Sequence, residues 1–137
     1  KSIVEWFAGR ESKLPTHLEQ ELKDDFGKYT LHYTMFIRKV FPDNTLISMS
    51  AGGVYYAMGF FTYDKEENRK EYYNFTKKLA EILVRDYGAR LHWGKHFPLT
   101  HNEISKSYPD MQRFKDLCKE VDPRGVFQND FTRRVIG

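Results

Sequence analysis

Ala89-Arg90-Leu91-His92-Trp93-Gly94-Lys95-His96 is the stretch on which the reading of the fold turns. It follows a long helical pattern that closes at Gly88 and precedes a short helix opening at Thr100. Read as a strand, residues 90–95 complete a strand, helix, strand crossover over one sheet face. Gly94 allows a bend. A strand running into that bend presents Lys95 at its end, where sites on sheets often lie. By chemistry alone, Trp93 equally fits a core position, His92 a satisfied polar neighbour and Lys95 a solvated charge.

Upstream, the helical pattern runs from Asp64 to Gly88. Asp64 with Glu67 matches a capping box. Tyr72, Phe75, Leu79, Ile82 and Leu83 form an apolar stripe at helical spacing. Before it, Tyr29–Phe41 alternates. Leu31, Tyr33, Met35 and Ile37 share the face expected to meet the core, and Thr30, His32, Thr34, Phe36 and Arg38 share the other. Thr45–Ser50 reads as a second strand. Ala51-Gly52-Gly53 then turns the chain into a third, Val54–Tyr63, with Tyr56, Met58, Phe60 and Thr62 on one side.

Further upstream, Pro15-Thr16 opens a short helix with Thr16 as cap, Glu19 three residues on and Leu14 and Leu18 as a staple. Leu18, Leu22 and Phe26 form its apolar side, and Gly27 stops it. Residues 1–12 carry Ile3, Val4, Trp6 and Phe7 and fit a short helix or a strand.

Downstream, Thr100 with Glu103 is another capping box. Pro109 suits the start of a helix whose buried side is Met111, Phe114, Leu117, Cys118 and Val121. Asp122-Pro123-Arg124-Gly125 ends it. Val126, Phe127 and Phe131 are expected to anchor an irregular tail. The sum is one α+β domain, residues 1–137. It is expected to hold a mainly antiparallel sheet of about four strands with helices packed on one face.

The chain's 137 residues suffice for one core. A net charge of +3, scattered along the chain, argues against a nucleic-acid or membrane-surface ligand. The single Cys118 excludes an internal disulfide and suits a reducing, cytoplasmic compartment. No signal peptide is seen, and no apolar run approaches the roughly 20 residues of a membrane span. The chain opens Lys1-Ser2 without an initiator Met, so it reads as a piece of a longer protein or a processed form. There is no Gly-x-Gly-x-x-Gly and no Walker loop. His17, His32, His96 and His101 show no metal-ligand spacing with one another or with acids, and Cys118 reads as a small buried hydrophobe.

His92-Trp93-Gly94-Lys95, then Tyr108-Pro109, then Asp122-Pro123-x-Gly125-x-Phe127-x-Asn129, form an ordered set. It resembles the C-terminal end of the aldonolactone oxidases, the FAD-dependent sugar-lactone and alditol oxidases of the vanillyl-alcohol-oxidase superfamily. The resemblance runs from about Tyr33 to Gly137 and is densest from Arg90 onward. It implies a C-terminal substrate (cap) domain. FAD in this family is held mainly by a separate N-terminal domain, often through a covalent histidine link, and nothing in this chain can play that part. The implied partners are that N-terminal FAD-binding domain and a small alcohol or lactone. The resemblance leaves membrane association of the full-length protein open.

Residue by residue, the resemblance makes Lys95 the leading catalytic candidate, near flavin and substrate oxygens, where an ammonium stabilises developing negative charge. His92 is implied beside the cofactor, with a positioning role. Phe36-Ile37-Arg38 resembles a Glu-x-Arg strand motif whose two outer residues share a face. Arg38 is kept, and Phe36 replaces the Glu that holds substrate hydroxyls. Phe60-Phe61-Thr62-Tyr63 resembles a His-Phe-Thr-Trp stretch. Thr62 matches the substrate-facing threonine, and Phe60 replaces the histidine. Phe36 and Phe60 together point to a less hydroxylated, more apolar substrate. The rival reading is a free-standing binding module whose exposed Tyr and Phe form the binding face.

Overall fold

The computed structural model describes residues 2–63 and 66–137. Its elements are α1 (Ser2–Phe7), α2 (Thr16–Glu21), β1 (Phe36–Val40), β2 (Tyr55–Gly59), α3 (Glu66–Tyr87), α4 (His101–Ile104), α5 (Met111–Val121) and α6 (Asp130–Val135). The chain divides into two compact units. One is formed by residues up to Arg38 with Ala57–Leu79, the other by Lys39–Tyr56 with Ala80–Gly137.

In the first unit the core is aromatic. Phe7 meets Phe75 edge to face at 4.9 Å, and Tyr29 stacks on Phe75 at 4.8 Å. Such ring pairs add to the burial of Leu18 and Leu22. The open N-terminal segment is therefore helical, and the chain returns onto its end. Gly27 donates to the Trp6 carbonyl at 3.1 Å and Tyr29 to that of Phe7 at 2.9 Å. Gly9 and Gly27 both sit at φ +71°, and a Cβ on Gly9 would lie 3.3 Å from the Gly27 Cα. Those backbone bonds draw Tyr29 away from a ladder, so the first strand begins at Phe36, not Tyr29. Thr16 is the first helical residue of α2 behind Pro15, and no side chain caps it. Phe26 is exposed but rests edge-on against Trp6 at 5.1 Å. The buried Asp25 carboxylate takes the Lys78 ammonium.

The four-stranded sheet is not found. Among the described residues the sheet has two antiparallel strands, β1 and β2. The expected inner face of β1 is also wrong, because Ile37 is 59% exposed and Phe36 is half-buried. Gly59 explains the choice. A Cβ there would sit 2.0 Å from the Phe36 ring, so the ring occupies the space a side chain on β2 would fill. Gly59→Ala is expected to destabilise the full-length protein by about 2 kcal/mol, as an overpacked site does. A Phe36→Ala background should recover most of that loss in urea unfolding. Equal midpoints with and without Gly59→Ala would refute this packing.

Residues 45–50 are not a strand but a turn-rich loop with one isolated parallel bridge, Asp43 to Ala51. Asp43 organises the loop. Its carboxylate accepts from the Thr45 N–H at 2.9 Å, the Thr45 hydroxyl at 2.8 Å, the Ser50 hydroxyl at 3.1 Å and the Ser48 hydroxyl. These donors, led by Ser48, hold its pKa at about 2. The depressed value gives a signed prediction. The stability this carboxylate contributes is present above its ordinary pKa of 3.8 and is lost as pH falls toward about 2. Asp43→Asn should remove that part of the acid-unfolding slope. An unchanged slope between those values would contradict the assignment.

Helix α3 buries Phe75, Leu79, Ile82 and Val84, with Tyr72 and Leu83 half-buried, close to the expected stripe. The expected cap residue Asp64 lies outside the described residues. Gly88, at φ +60°, closes the helix, and the Ala89 N–H reaches back to the Leu83 carbonyl at 3.0 Å. In the second unit Ala80 and Val84 pack with Phe97, Leu99, Ile104, Tyr108, Met111 and Val135. The Thr100 box forms, with Glu103 accepting from the Thr100 N–H at 2.7 Å.

Helix α5 buries less than its pattern suggests. Met111 is buried, Phe114 and Cys118 are half-buried, and Leu117 and Val121 are exposed. The tail is not irregular. Asn129 caps α6 by accepting from the Thr132 N–H at 2.9 Å. Phe131 meets Phe97 edge to face at 5.6 Å, but Val126 and Phe127 anchor nothing, Phe127 being 82% exposed.

Candidate functional site

The segment expected to be a fourth strand, residues 90–95, is instead a turn held by its own side chains. Arg90 makes the main tie. Its Nε donates to the Ser107 carbonyl at 2.7 Å, and its Nη1 donates to Ala51 at 2.8 Å and to Ser48 at 3.2 Å. The guanidinium also lies 5.1 Å from the centres of both the Tyr55 and Tyr108 rings. Trp93 makes the second tie. Its indole N–H donates to the Ile47 carbonyl at 2.8 Å, and its ring stacks on Phe97 at 5.2 Å and leans on Tyr108 at 5.0 Å. These two side chains satisfy the carbonyls of Ile47, Ser48, Ala51 and Ser107 and so tie the turn down. Burial pushes the Tyr108 phenol well above its ordinary value, against the opposing pull of Arg90, so it stays protonated.

From this base the turn projects polar groups. The Lys95 N–H closes it on the His92 carbonyl at 3.1 Å. The Gly94 N–H donates to His92 Nδ1 at 3.1 Å. A neutral His92 ring with Nδ1 accepting carries its proton on Nε2, which leaves that edge as a donor. His92 and Lys95 are both exposed, and among the described residues the Lys95 ammonium makes no ion pair. Two donors, one of them charged, fit an anionic or oxygen-rich group. His96 beside them is held below its ordinary pKa by burial and by the Arg134 charge, which favours the neutral ring.

Arg38, Phe36, Phe60 and Thr62 belong to the first unit. Arg38 is exposed, with its guanidinium 4.6 Å from the centre of the Phe36 ring. Phe36 also meets Phe61 at 5.4 Å. Phe60 turns instead to Phe75 at 6.0 Å. Thr62 is half-buried, and its hydroxyl hydrogen-bonds His32 Nδ1 at 2.7 Å. Arg38 and Phe36 are thus brought together, whereas Phe60 and Thr62 each have other neighbours. No cluster of metal-ligating side chains occurs among the described residues, nor does any described helix have the length and apolarity to cross a membrane.

Sequence reading missed Arg90 and His32. Arg90 carried a usable signal: a guanidinium beside apolar Leu91 and Trp93 must find carbonyls or rings. His32 carried none, since its partner lies thirty positions away. The rest of the ordered motif proves architectural. Asp122 accepts from the Val126 and Phe127 N–H groups, each at 2.8 Å, and Gly125 takes φ +66° between them.

Comparison with known proteins identifies the family of the chain. A long-chain alcohol oxidase of an uncultured marine euryarchaeote is 34% identical across 99% of this chain, which spans 31% of that relative. L-gulonolactone oxidase of Mus musculus is 27% identical across 98% of the chain and 30% of its own length. L-gulono-1,4-lactone dehydrogenase of Mycobacterium tuberculosis is 40% identical over 60 residues, 44% of the chain and 14% of the relative. The chain therefore spans about a third or less of these relatives' length. The D-arabinono-1,4-lactone oxidase family model matches residues 7–135. With all but a few terminal residues inside that match, the chain belongs to the D-arabinono-1,4-lactone oxidase family of oxidoreductases.

Proposed function

We propose that these 137 residues are the C-terminal, substrate-side domain of a longer FAD-dependent oxidoreductase that oxidises a CH–OH group. The FAD is held mainly by a part of the protein outside these residues. When bound, it supplies the hydride acceptor. The observation that carries the reading is the Lys95 ammonium, exposed and, among the described residues, without an ion pair, on a turn locked by Arg90 and Trp93. A fixed cation of this kind stabilises negative charge without having to reorganise. The His92 Nε2–H adds a second donor. In the other unit, Arg38 and Thr62 are substrate-side groups, Arg38 steadied over Phe36 and Thr62 oriented by His32.

The substrate we infer is an alcohol with a long apolar portion. Phe36 offers a half-buried ring, packed with Phe61, where a carboxylate would accept hydroxyl protons. The relative named as a long-chain alcohol oxidase supports this choice over a lactone or polyol. The test is the visible spectrum of the purified full-length protein. Flavin absorbance that bleaches anaerobically with an aliphatic alcohol supports the reading. A colourless protein that gains no flavin on reconstitution overturns it and leaves the domain a binding module.

A further inference from the structure

Val54–Tyr63 reads Val-Tyr-Tyr-Ala-Met-Gly-Phe-Phe-Thr-Tyr, without a charge or a proline. Its strand, β2, has a single neighbour among the described residues, β1, so its other edge is open. The strand is largely in water. Tyr56 is 65% and Met58 43% exposed, and Val54 and Phe61 beyond its ends are exposed as well. Natural sheets protect a true edge with lysine, proline, a bulge or an inward charge. β1 follows that rule through Arg38 and Lys39, and β2 does not. Two strands of five residues also make a marginal ribbon on their own, since stability needs at least a third strand or a packed face.

We infer that the open edge of β2 is an internal interface, completed by a β-strand from the part of the full-length polypeptide outside these 137 residues. This rests on the reading of the chain as part of a longer protein. The occupant follows from length and chemistry. The matched relatives are about three times as long as the segment they share with this chain. A strand within the same polypeptide meets the edge at millimolar effective concentration, ahead of any second copy. An uncharged strand edge selects main-chain hydrogen bonds, with Tyr56 and Met58 packing against alternate side chains of the added strand.

The test uses the full-length protein in two measurements. The first is residue-resolved hydrogen exchange. An edge strand bonds only alternate amides inward, whereas a central strand bonds all of them. Every amide from Tyr55 to Gly59 should exchange at least about 100-fold more slowly than in an unfolded chain. Fast exchange at alternate positions would overturn the inference. The second is photocrosslinking from Tyr56→p-benzoylphenylalanine, mapped by mass spectrometry. A link at monomer mass to a peptide outside residues 1–137 is expected. A link at dimer mass, a link only within these residues, or none would overturn it. Flavin content of the same sample separates the two claims, because a colourless protein with a protected, internally crosslinked β2 refutes the flavoenzyme and keeps the strand.

Discussion

Lys95→Ala is expected to slow anaerobic reduction of the bound flavin by about 100- to 1,000-fold in the full-length protein, the usual cost of losing one fixed charge-stabilising group. Its thermal unfolding should stay within about 0.5 kcal/mol of the parent, because an exposed ammonium without an ion pair stabilises little. That split is the informative part. The Lys95 side chain contributes to no core and no ion pair among the described residues, so lost rate cannot be put down to lost fold. Lys95→Arg keeps the charge but alters its reach, and should recover part of the rate. A Lys95→Ala protein reduced within about threefold of the parent rate would remove Lys95 from the chemistry, since that is under 1 kcal/mol of barrier.

Arg90 carries the largest expected effect on stability. Arg90→Ala strands the carbonyls of Ser48, Ala51 and Ser107 and uncovers two tyrosine rings. The expected loss is about 3 kcal/mol, each under-satisfied carbonyl costing about 1 kcal/mol in a part-buried site. A melting temperature lower by roughly 3 °C in the full-length protein would register it. Arg90→Lys should recover less than half, because one ammonium cannot fork to three carbonyls and lie flat on two rings. Flavin reduction in Arg90→Lys should fall too, since the turn that presents Lys95 loosens. A fully stable Arg90→Lys protein would mean that charge alone, not the fork, holds the turn.

What could be read in advance was local. The Thr100–Glu103 box, the Gly88 stop and the α3 stripe each depend on residues within one or two turns, and each forms as its pattern dictates. The misreadings share a different origin. Leu91, His92 and Trp93 alternate as a strand would, but Arg90 and Trp93 reach carbonyls about forty positions upstream and fix a turn. Period-two alternation puts Ile37 inside. Phe36 goes in because Gly59, some twenty positions on, leaves room for its ring. Asn129 looked like part of a tail until Thr132 completed its cap. Lys95 and His92 are candidates through the ordered motif alone, and the structure places both on one exposed turn. His32 beside Thr62 was not legible, since no local pattern marks a bond across thirty positions.

The full-length protein is proposed to use bound flavin to oxidise an alcohol with a long apolar portion. Anaerobic stopped-flow reduction with a long aliphatic alcohol, an aldonolactone and a polyol, at matched concentrations, tests it most directly. Phe36 in place of a carboxylate predicts that the aliphatic alcohol reduces the flavin fastest, and that Phe36→Glu narrows the gap to the polyol. Faster reduction by the polyol or the lactone than by the aliphatic alcohol would contradict it.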